Sequence, residues 1–270
     1  MDNVNENKPT LNFGLLINEY AQNIDSEFKH FWNSWEIELS EKEIHEVLSA
    51  LIARQITIAI QFNSCIAGWT GDLAPIVLRS LADNYINIAW ILKSPLERSR
   101  KFIFYGIGRE KLNMEHRKLQ MEEDGFDSEN DPLIRLSKEW INFHQYDFLT
   151  DVNVGSWSEK SVFKMAEEGE CKGFYNHVYQ PFSNVAHSTW NHVGKYNAKI
   201  SDNPLHNNLL IPRINIGKPH YDYLELSAKY VEKALNKIHD TFNIERFEVN
   251  SYSTLLEGIE KMINSLTEEE

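Results

Sequence analysis

The stretch that decides the predicted fold is Tyr175–Tyr196, YNHVYQPFSNVAHSTWNHVGKY. Pro181 suits the first turn of a helix, where its missing N–H group breaks no hydrogen bond. Ser183, His187 and Asn191 recur at every fourth position, so we expect them along one stripe of that helix. The apolar residues fall mostly on the opposite side. This combination predicts a helix within a helical bundle, with a polar, titratable stripe that faces a site.

A second helix is predicted at the centre of the bundle. Residues 72–92 are apolar on nearly every side, which is typical of a buried helix. Arg79 and Asp83 lie one turn apart within it, and burying an arginine is costly unless it is paired. Two interpretations stay open. The two residues form a structural ion pair, or Asp83 holds an arginine that binds a phosphate or carboxylate.

Apolar residues at helical spacing predict helices along most of the remaining chain. All the predicted helices together span residues 11–35, 40–68, 72–92, 96–120, 132–146, 159–168, 175–196, 221–242 and 244–266. Ser40 with Glu43 is a predicted capping box, and Asp72 is a predicted helix cap. The β-branched run at residues 56–60 leaves a strand as an alternative.

The predicted fold class is all-α, because no alternating strand pattern and no internal repeat interrupts these helices. We expect a single multi-helix bundle over residues 11–266, with a loose tail at 1–10 and an acidic tail at 267–270. Residues 201–219 contain three prolines and follow the histidine-bearing helix. They predict a long loop, which can act as a lid over the site.

Composition narrows the classes of protein that the chain can belong to. Its 270 residues are 42% hydrophobic and carry a net charge of −13, which argues against nonspecific nucleic-acid binding by an overall positive surface. A local basic pocket is still allowed. Cys65 and Cys171 are too few for a disulfide framework. No apolar run is long enough to span a membrane and the N-terminus is no signal peptide, so we expect a cytoplasmic protein.

His187 is the residue on which most of the predicted chemistry depends. It can act as a general acid or base, or donate a hydrogen bond to a phosphate; alternatively it is a core histidine satisfied by Ser183. Ser183 as a nucleophile is disfavoured, because side chains four residues apart run parallel and no Gly-x-Ser-x-Gly motif is present. His187 and His192 are five residues apart, a poor spacing for zinc, so no metal or cofactor is predicted.

Another arginine and histidine occur on the helix predicted at 96–120. Arg109 and His116 are about two turns apart and face the same way, and the pair resembles the motif of HEPN ribonucleases, an all-helical superfamily. That resemblance implies paired protomers and metal-independent attack of a ribose 2′-hydroxyl on its own phosphate, with arginine stabilising charge and histidine moving the proton. Glu110 departs from the motif, which prefers asparagine, aspartate or histidine at that position.

The whole pattern resembles a bacterial family known as domain of unknown function 5677. The resemblance covers roughly residues 40–240 and is carried by Arg79-Ser80-Leu81-Ala82-Asp83, by Pro95 and Tyr105, and by Tyr179…Ser183…His187-Ser188. It implies a helical bundle in which Arg79, Asp83, Ser183 and His187 cluster, and no established activity. Aspartate stands at position 83, where glutamate is commoner. Members are similar to HEPN-like proteins suspected in toxin–antitoxin or antiphage roles.

The leading hypothesis is therefore a ribonuclease or nucleotide-processing enzyme of a defence or toxin system. Arg79 holds the phosphate and Asp83 orients the Arg79 side chain. His187 transfers protons, and Ser183 is the fourth predicted catalytic residue. The residues expected to contact substrate are Tyr179, Asn191, His192, Tyr105, Arg109 and His116. The expected partners are RNA or a nucleotide, a second copy of the chain and a protein from the same operon, with no membrane. The alternatives are a non-catalytic sensor of a small anion or partner protein, and a purely structural cluster.

Overall fold

The computed structural model describes residues 13–144 and 156–267, and the side chains up to residue 265. The described chain is predominantly helical, which confirms the predicted class. Its helices are α1 (Phe13–Ser34), α2 (Lys42–Asn63), α3 (Ala74–Ile91), α4 (Pro95–Glu123), α5 (Pro132–Phe143), α6 (Val162–Glu168), α7 (Lys172–Phe174), α8 (Gln180–Ala186), α9 (Trp190–Tyr196), α10 (Asp222–Phe242) and α11 (Ser251–Thr267). The predicted tail at 1–10 and residues 268–270 lie outside the described residues.

Helix α3 is the centre of the bundle. It packs against α2 and α10 on one side and against α6 and α8 on the other. The large apolar side chains that it buries completely are Leu78, Leu81, Ile86, Ile88 and Ile91. The prediction of a central buried helix is thus confirmed, and this position brings α3 into contact with the elements that carry His187.

A buried polar network joins the three central helices. Asn84 donates through Nδ2 to the carbonyl of Leu51 at 2.8 Å and to Oε1 of Gln55 at 2.7 Å. Gln55 in turn donates to the carbonyls of Leu81 on α3 and Tyr230 on α10, both at 3.2 Å. Because these partners are buried away from water, the network fixes how α2, α3 and α10 meet.

Replacing Asn84 with alanine is expected to lower the free energy of unfolding by about 2–4 kcal/mol, because it leaves buried acceptors on α2 without donors. Denaturant unfolding followed by circular dichroism measures the change. Asn87→Ala is a matched control, since Asn87 is only half-buried on the same helix. Equal stability losses in the two variants would contradict the role given to the network.

Two capping predictions for the first half of the chain are wrong, and the strand left as an alternative is not formed. Ser40 donates to the Glu38 side chain instead of capping α2, whose first residue is Lys42. Asp72 makes no cap hydrogen bond to α3. Residues 56–60 are helical throughout, and the strand alternative fails because the apolar face of α2 packs on α3 and α10. Helix α2 also ends at Asn63, earlier than predicted.

The predicted helix over Tyr175–Tyr196 is interrupted. Residues Tyr175–Tyr179 form a π-helical turn that continues into α8. The helix then ends at its C-cap, His187, and the next residue, Ser188, takes a left-handed conformation with φ of 49°. The Thr189 N–H bonds the Asn184 carbonyl at 3.0 Å, which closes the helix end in the manner of a Schellman motif. The predicted four-residue stripe therefore ends at His187.

A short hairpin follows α9, where the sequence predicted a loop without strands. Strands β1 (Ala198–Ile200) and β2 (Leu210–Pro212) are antiparallel, with Lys199 opposite Ile211. The strands are only three residues long, so their alternation is too brief to predict. Residues 201–209 form the loop between them.

Helices α4 and α5 form an arm at the edge of the bundle. Helix α4 has 29 residues and packs on α2 and α5. The buried residues of this arm, Ile107, Ile134 and Ile141, are not part of the main core cluster. Among the described residues no helix has the length and apolar character needed to cross a membrane.

Candidate functional site

The first half of α3 packs on the π-helical turn and on α8, which brings together residues that are distant in sequence. Arg79 donates from Nη2 to the hydroxyl of Tyr179 at 3.0 Å, across a separation of 100 residues. The same guanidinium lies 5.2 Å from the centroid of the Tyr179 ring. Tyr179 is buried. It therefore holds the head of Arg79 in place by both a hydrogen bond and ring contact.

Asp83 lies beside this pair and links it to His187. Its carboxylate is 4.0 Å from Arg79 Nη2, and it accepts a hydrogen bond from the Tyr179 side chain. Burial raises the pKa of Asp83, while Arg79, the Tyr179 hydrogen bond and the nearby His187 each act to lower that pKa. We call Arg79, Asp83, Tyr179 and His187 the Arg79 cluster.

The geometry changes the role expected for Asp83. The predicted ion pair is present but only partly buried, because the two side chains are 24% and 37% exposed, and Arg79 Nη2 and Asp83 Oδ2 are 4.0 Å apart. A pair this open contributes little to stability. Tyr179, rather than Asp83, makes the close hydrogen bond to Arg79. Asp83 instead interacts with the Tyr179 side chain and, electrostatically, with His187.

Arg79 also has an unpaired donor. Its Nε is buried and has no hydrogen-bond partner among the described residues, one of six buried side-chain atoms in that condition. A buried donor left unpaired is unfavourable by about 1–3 kcal/mol, so a ligand that accepts a hydrogen bond from it is favoured. Because part of the same side chain is exposed, an anion can approach the guanidinium from solvent.

His187 lies at the end of α8 and is exposed. It is therefore not a core histidine. Its backbone N–H bonds the Ser183 carbonyl at 3.0 Å, but among the described residues no hydrogen bond joins the Ser183 hydroxyl to the His187 ring. The imidazole can be reached from solvent, and it lies close enough to Asp83 to influence the pKa of that carboxyl group.

Asn191 and His192 lie on α9, beyond the end of α8. The Asn191 side chain accepts a hydrogen bond from Thr189, and Asn191 is exposed. His192 contacts Asp72 instead, with Nε2 and Oδ1 separated by 3.0 Å. Asp72 belongs to the turn before α3, so this contact fastens α9 to the base of the central helix. The periodicity of the sequence missed it because the two residues are 120 positions apart.

Tyr105, Arg109 and His116 lie on α4, away from the cluster. Arg109 is half-buried and His116 is exposed, and α4 packs on α2 and α5. Among the described residues no hydrogen bond or ion pair joins these three side chains to the Arg79 cluster. The pair of Arg79 and His187 and the pair of Arg109 and His116 therefore lie in separate parts of the fold.

The Arg79 cluster is an open surface site. A cleft of about 740 Å³ lies elsewhere, beside Pro95, Arg100 and Phe242. A second, of about 480 Å³, is lined by Arg54, Cys65 and neighbouring apolar residues. Within the described part of the chain no three histidine, cysteine, aspartate or glutamate residues come together in a way that could hold a metal ion.

Comparison with known proteins gives one match. No curated protein and no solved structure matches the chain. A family model described as a family of unknown function, DUF5677, matches residues 45–204. This range contains most of α2, all of α3 to α9 and all four residues of the Arg79 cluster. The match covers more than half of the sequence, and the chain therefore belongs to the DUF5677 family.

Proposed function

We propose that the chain is an enzyme that cleaves a phosphodiester bond in RNA or a nucleotide at the Arg79 cluster, without a metal ion. The observation that carries the proposal is the unpaired, buried Nε of Arg79 beside an exposed histidine. Guanidinium groups are well suited to phosphate because they donate two parallel hydrogen bonds. The cluster thus combines an anion-binding group with a group that can move a proton.

The charge of the surrounding chain supports a phosphate-containing substrate. Residues 171–221 include one acidic residue, Asp202, although the chain as a whole has 40. The same segment has five lysine or arginine residues and five of the ten histidines. A net charge of −13 is therefore compatible with a local surface that attracts anions.

The proposed reaction is an internal transesterification. His187 accepts the proton of a ribose 2′-hydroxyl, and the 2′ oxygen forms a bond to the adjacent phosphorus. The bond from phosphorus to the 5′ oxygen of the next nucleotide breaks, and water at this open site protonates that oxygen. Arg79, held by Tyr179, stabilises the charge that develops on the non-bridging oxygens. The products are a 2′,3′-cyclic phosphate and a 5′-hydroxyl end.

Purified protein is expected to cleave unstructured RNA in the presence of EDTA, because every step is performed by side chains or water. Gel analysis of end-labelled RNA, incubated with and without the chelator, measures the reaction. DNA of the same sequence is the matched control, since it lacks the 2′ nucleophile and is expected to stay intact. RNA that stays intact at high protein concentration would contradict the proposal.

A second candidate function is a non-catalytic sensor of a small anion. The open position of the cluster favours it, because many enzymes enclose their reacting groups more fully. A screen of melting temperature against nucleotides separates the two functions. A large upward shift without turnover indicates a sensor.

The setting of the activity also belongs to this proposal. A role in toxin or antiphage defence, a homodimer and a partner protein from the same operon are predictions from the family resemblance. Sedimentation of the purified chain measures the oligomeric state. Identification of the neighbouring genes tests the other two.

A further inference from the structure

We propose that a surface formed by α9 and the hairpin binds single-stranded RNA and presents it to the Arg79 cluster. The surface consists of Trp190, Lys195, Tyr196, Lys199 and Arg213, and we call it the stacking platform. This inference rests on the proposed function and names its substrate class. It begins three residues after His187, so a bound strand lies next to the group that moves the proton.

Two aromatic rings are exposed on the platform. Trp190 is 69% exposed and Tyr196 is 48% exposed. The Trp190 ring lies against Gly194, where an added Cβ would come within 3.1 Å of the ring. Exposed rings of this kind stack with unpaired bases, and each stacked base contributes about 1–3 kcal/mol regardless of sequence.

Positive charge accompanies the aromatic rings. Lys195, Lys199 and Arg213 are exposed, and Lys199 pairs with Asp202 at 2.7 Å. Arg213 donates to the Tyr196 carbonyl at 3.3 Å, which places its guanidinium beside that tyrosine. Exposed cations together with exposed aromatic rings match the phosphates and bases of a single strand. A duplex would hide the faces of its bases from the rings, so a single strand is the fitting occupant.

The platform is fastened to the helix that carries Arg79. His192 contacts Asp72, and its ring lies 4.9 Å from the Tyr196 ring. The segment after β2 is held in the same region, because the His220 N–H bonds the Trp69 carbonyl at 2.8 Å. Both contacts reach the turn that leads into α3. The platform is therefore joined to the start of the helix that carries Arg79.

The test is binding of a fluorescent 2′-O-methyl RNA of about 12 nucleotides, a length within the usual site size of single-strand binding surfaces. The methyl group removes the nucleophile, so binding is measured without cleavage. We expect Trp190→Ala to weaken binding by about 10-fold. We expect Lys195→Gln to reduce the slope of log affinity against log salt by about 0.7, the contribution of one cation.

Two control variants lie on the distant arm. Trp140→Ala removes a tryptophan that is 45% exposed, and Arg135→Gln removes an exposed cation from the same helix. Both variants are expected to bind RNA within about 2-fold of the unchanged chain, because they remove an exposed ring or an exposed charge that is not part of the platform. Exposed substitutions of this kind usually have effects of about that size. Circular dichroism checks that every variant is folded.

Each outcome bears on one of the two proposals. Equal binding by the platform and arm variants, or no binding by the unchanged chain, would overturn the stacking platform. A platform variant that changes the oligomeric state but not RNA affinity would also overturn it and would identify a protein interface. Binding without cleavage of ordinary RNA supports the platform and contradicts the proposed function. Cleavage of RNA that is unaffected by Trp190→Ala supports the proposed function and contradicts the stacking platform.

Discussion

Replacing His187 with alanine is expected to slow RNA cleavage by about 10²- to 10⁴-fold, the usual contribution of a general acid or base. The side chain is exposed at the end of α8, and only its backbone supports the helix end through the bond to Ser183. The free energy of unfolding is therefore expected to change by less than about 0.5 kcal/mol. The measurement is the single-turnover cleavage rate beside a denaturant unfolding curve.

His177→Ala is the matched control for this variant. His177 is exposed on the π-helical turn, next to the same helix, but it is not one of the residues acting on Asp83. Its loss is expected to leave the cleavage rate within about 2-fold, as for other exposed substitutions. If both histidine variants cleave RNA as fast as the unchanged chain, His187 does not transfer the proton.

Replacing Arg79 with alanine is expected to slow cleavage by about 10²- to 10³-fold, as does the loss of other groups that stabilise transition-state charge. Arg79→Lys is expected to recover only part of the rate, because one ammonium group cannot make the bidentate contact of a guanidinium. Single-turnover rates of the three proteins measure both effects. Arg54→Ala, which removes an exposed arginine from α2, is the control.

The Arg79→Ala variant also tests whether Arg79 has a functional or a structural role. The Asp83 pair is partly exposed and 4.0 Å long, so its removal is expected to lower the free energy of unfolding by less than about 1 kcal/mol. Unfolding of Arg79→Ala under conditions where the unchanged chain is native would favour the structural interpretation. A slow but folded variant supports phosphate binding.

The spacing of apolar residues predicted the helices because most of them bury an extended apolar surface. Helix α3 is the clearest case, with an apolar surface on almost every side. The end of the helix at His187 could not be predicted from the spacing of apolar residues. It depends on a left-handed Ser188 and on two hydrogen bonds to the Asn184 carbonyl, with no glycine or proline to mark it.

The membership of the candidate site stays a prediction, and its geometry differs from the expectation. The resemblance implied a cluster of Arg79, Asp83, Ser183 and His187. The four-residue spacing gave Asp83 as the partner of Arg79, whereas Tyr179 makes the closer contact. Contacts between side chains 100 residues apart leave no periodic signal in one sequence. The shortage of acidic residues across 171–221 was a visible signal of the basic surface. It was hidden by the net charge of the whole chain.

The activity proposed for the Arg79 cluster joins a ribose 2′-hydroxyl to its own phosphate. A DNA oligonucleotide that contains a single ribonucleotide, incubated with the protein and EDTA and analysed by mass spectrometry, tests this reaction alone. We expect one cut, on the 3′ side of the ribonucleotide, that leaves a 2′,3′-cyclic phosphate. An intact strand, cuts between deoxynucleotides, or cleavage that requires added metal would contradict the proposed activity.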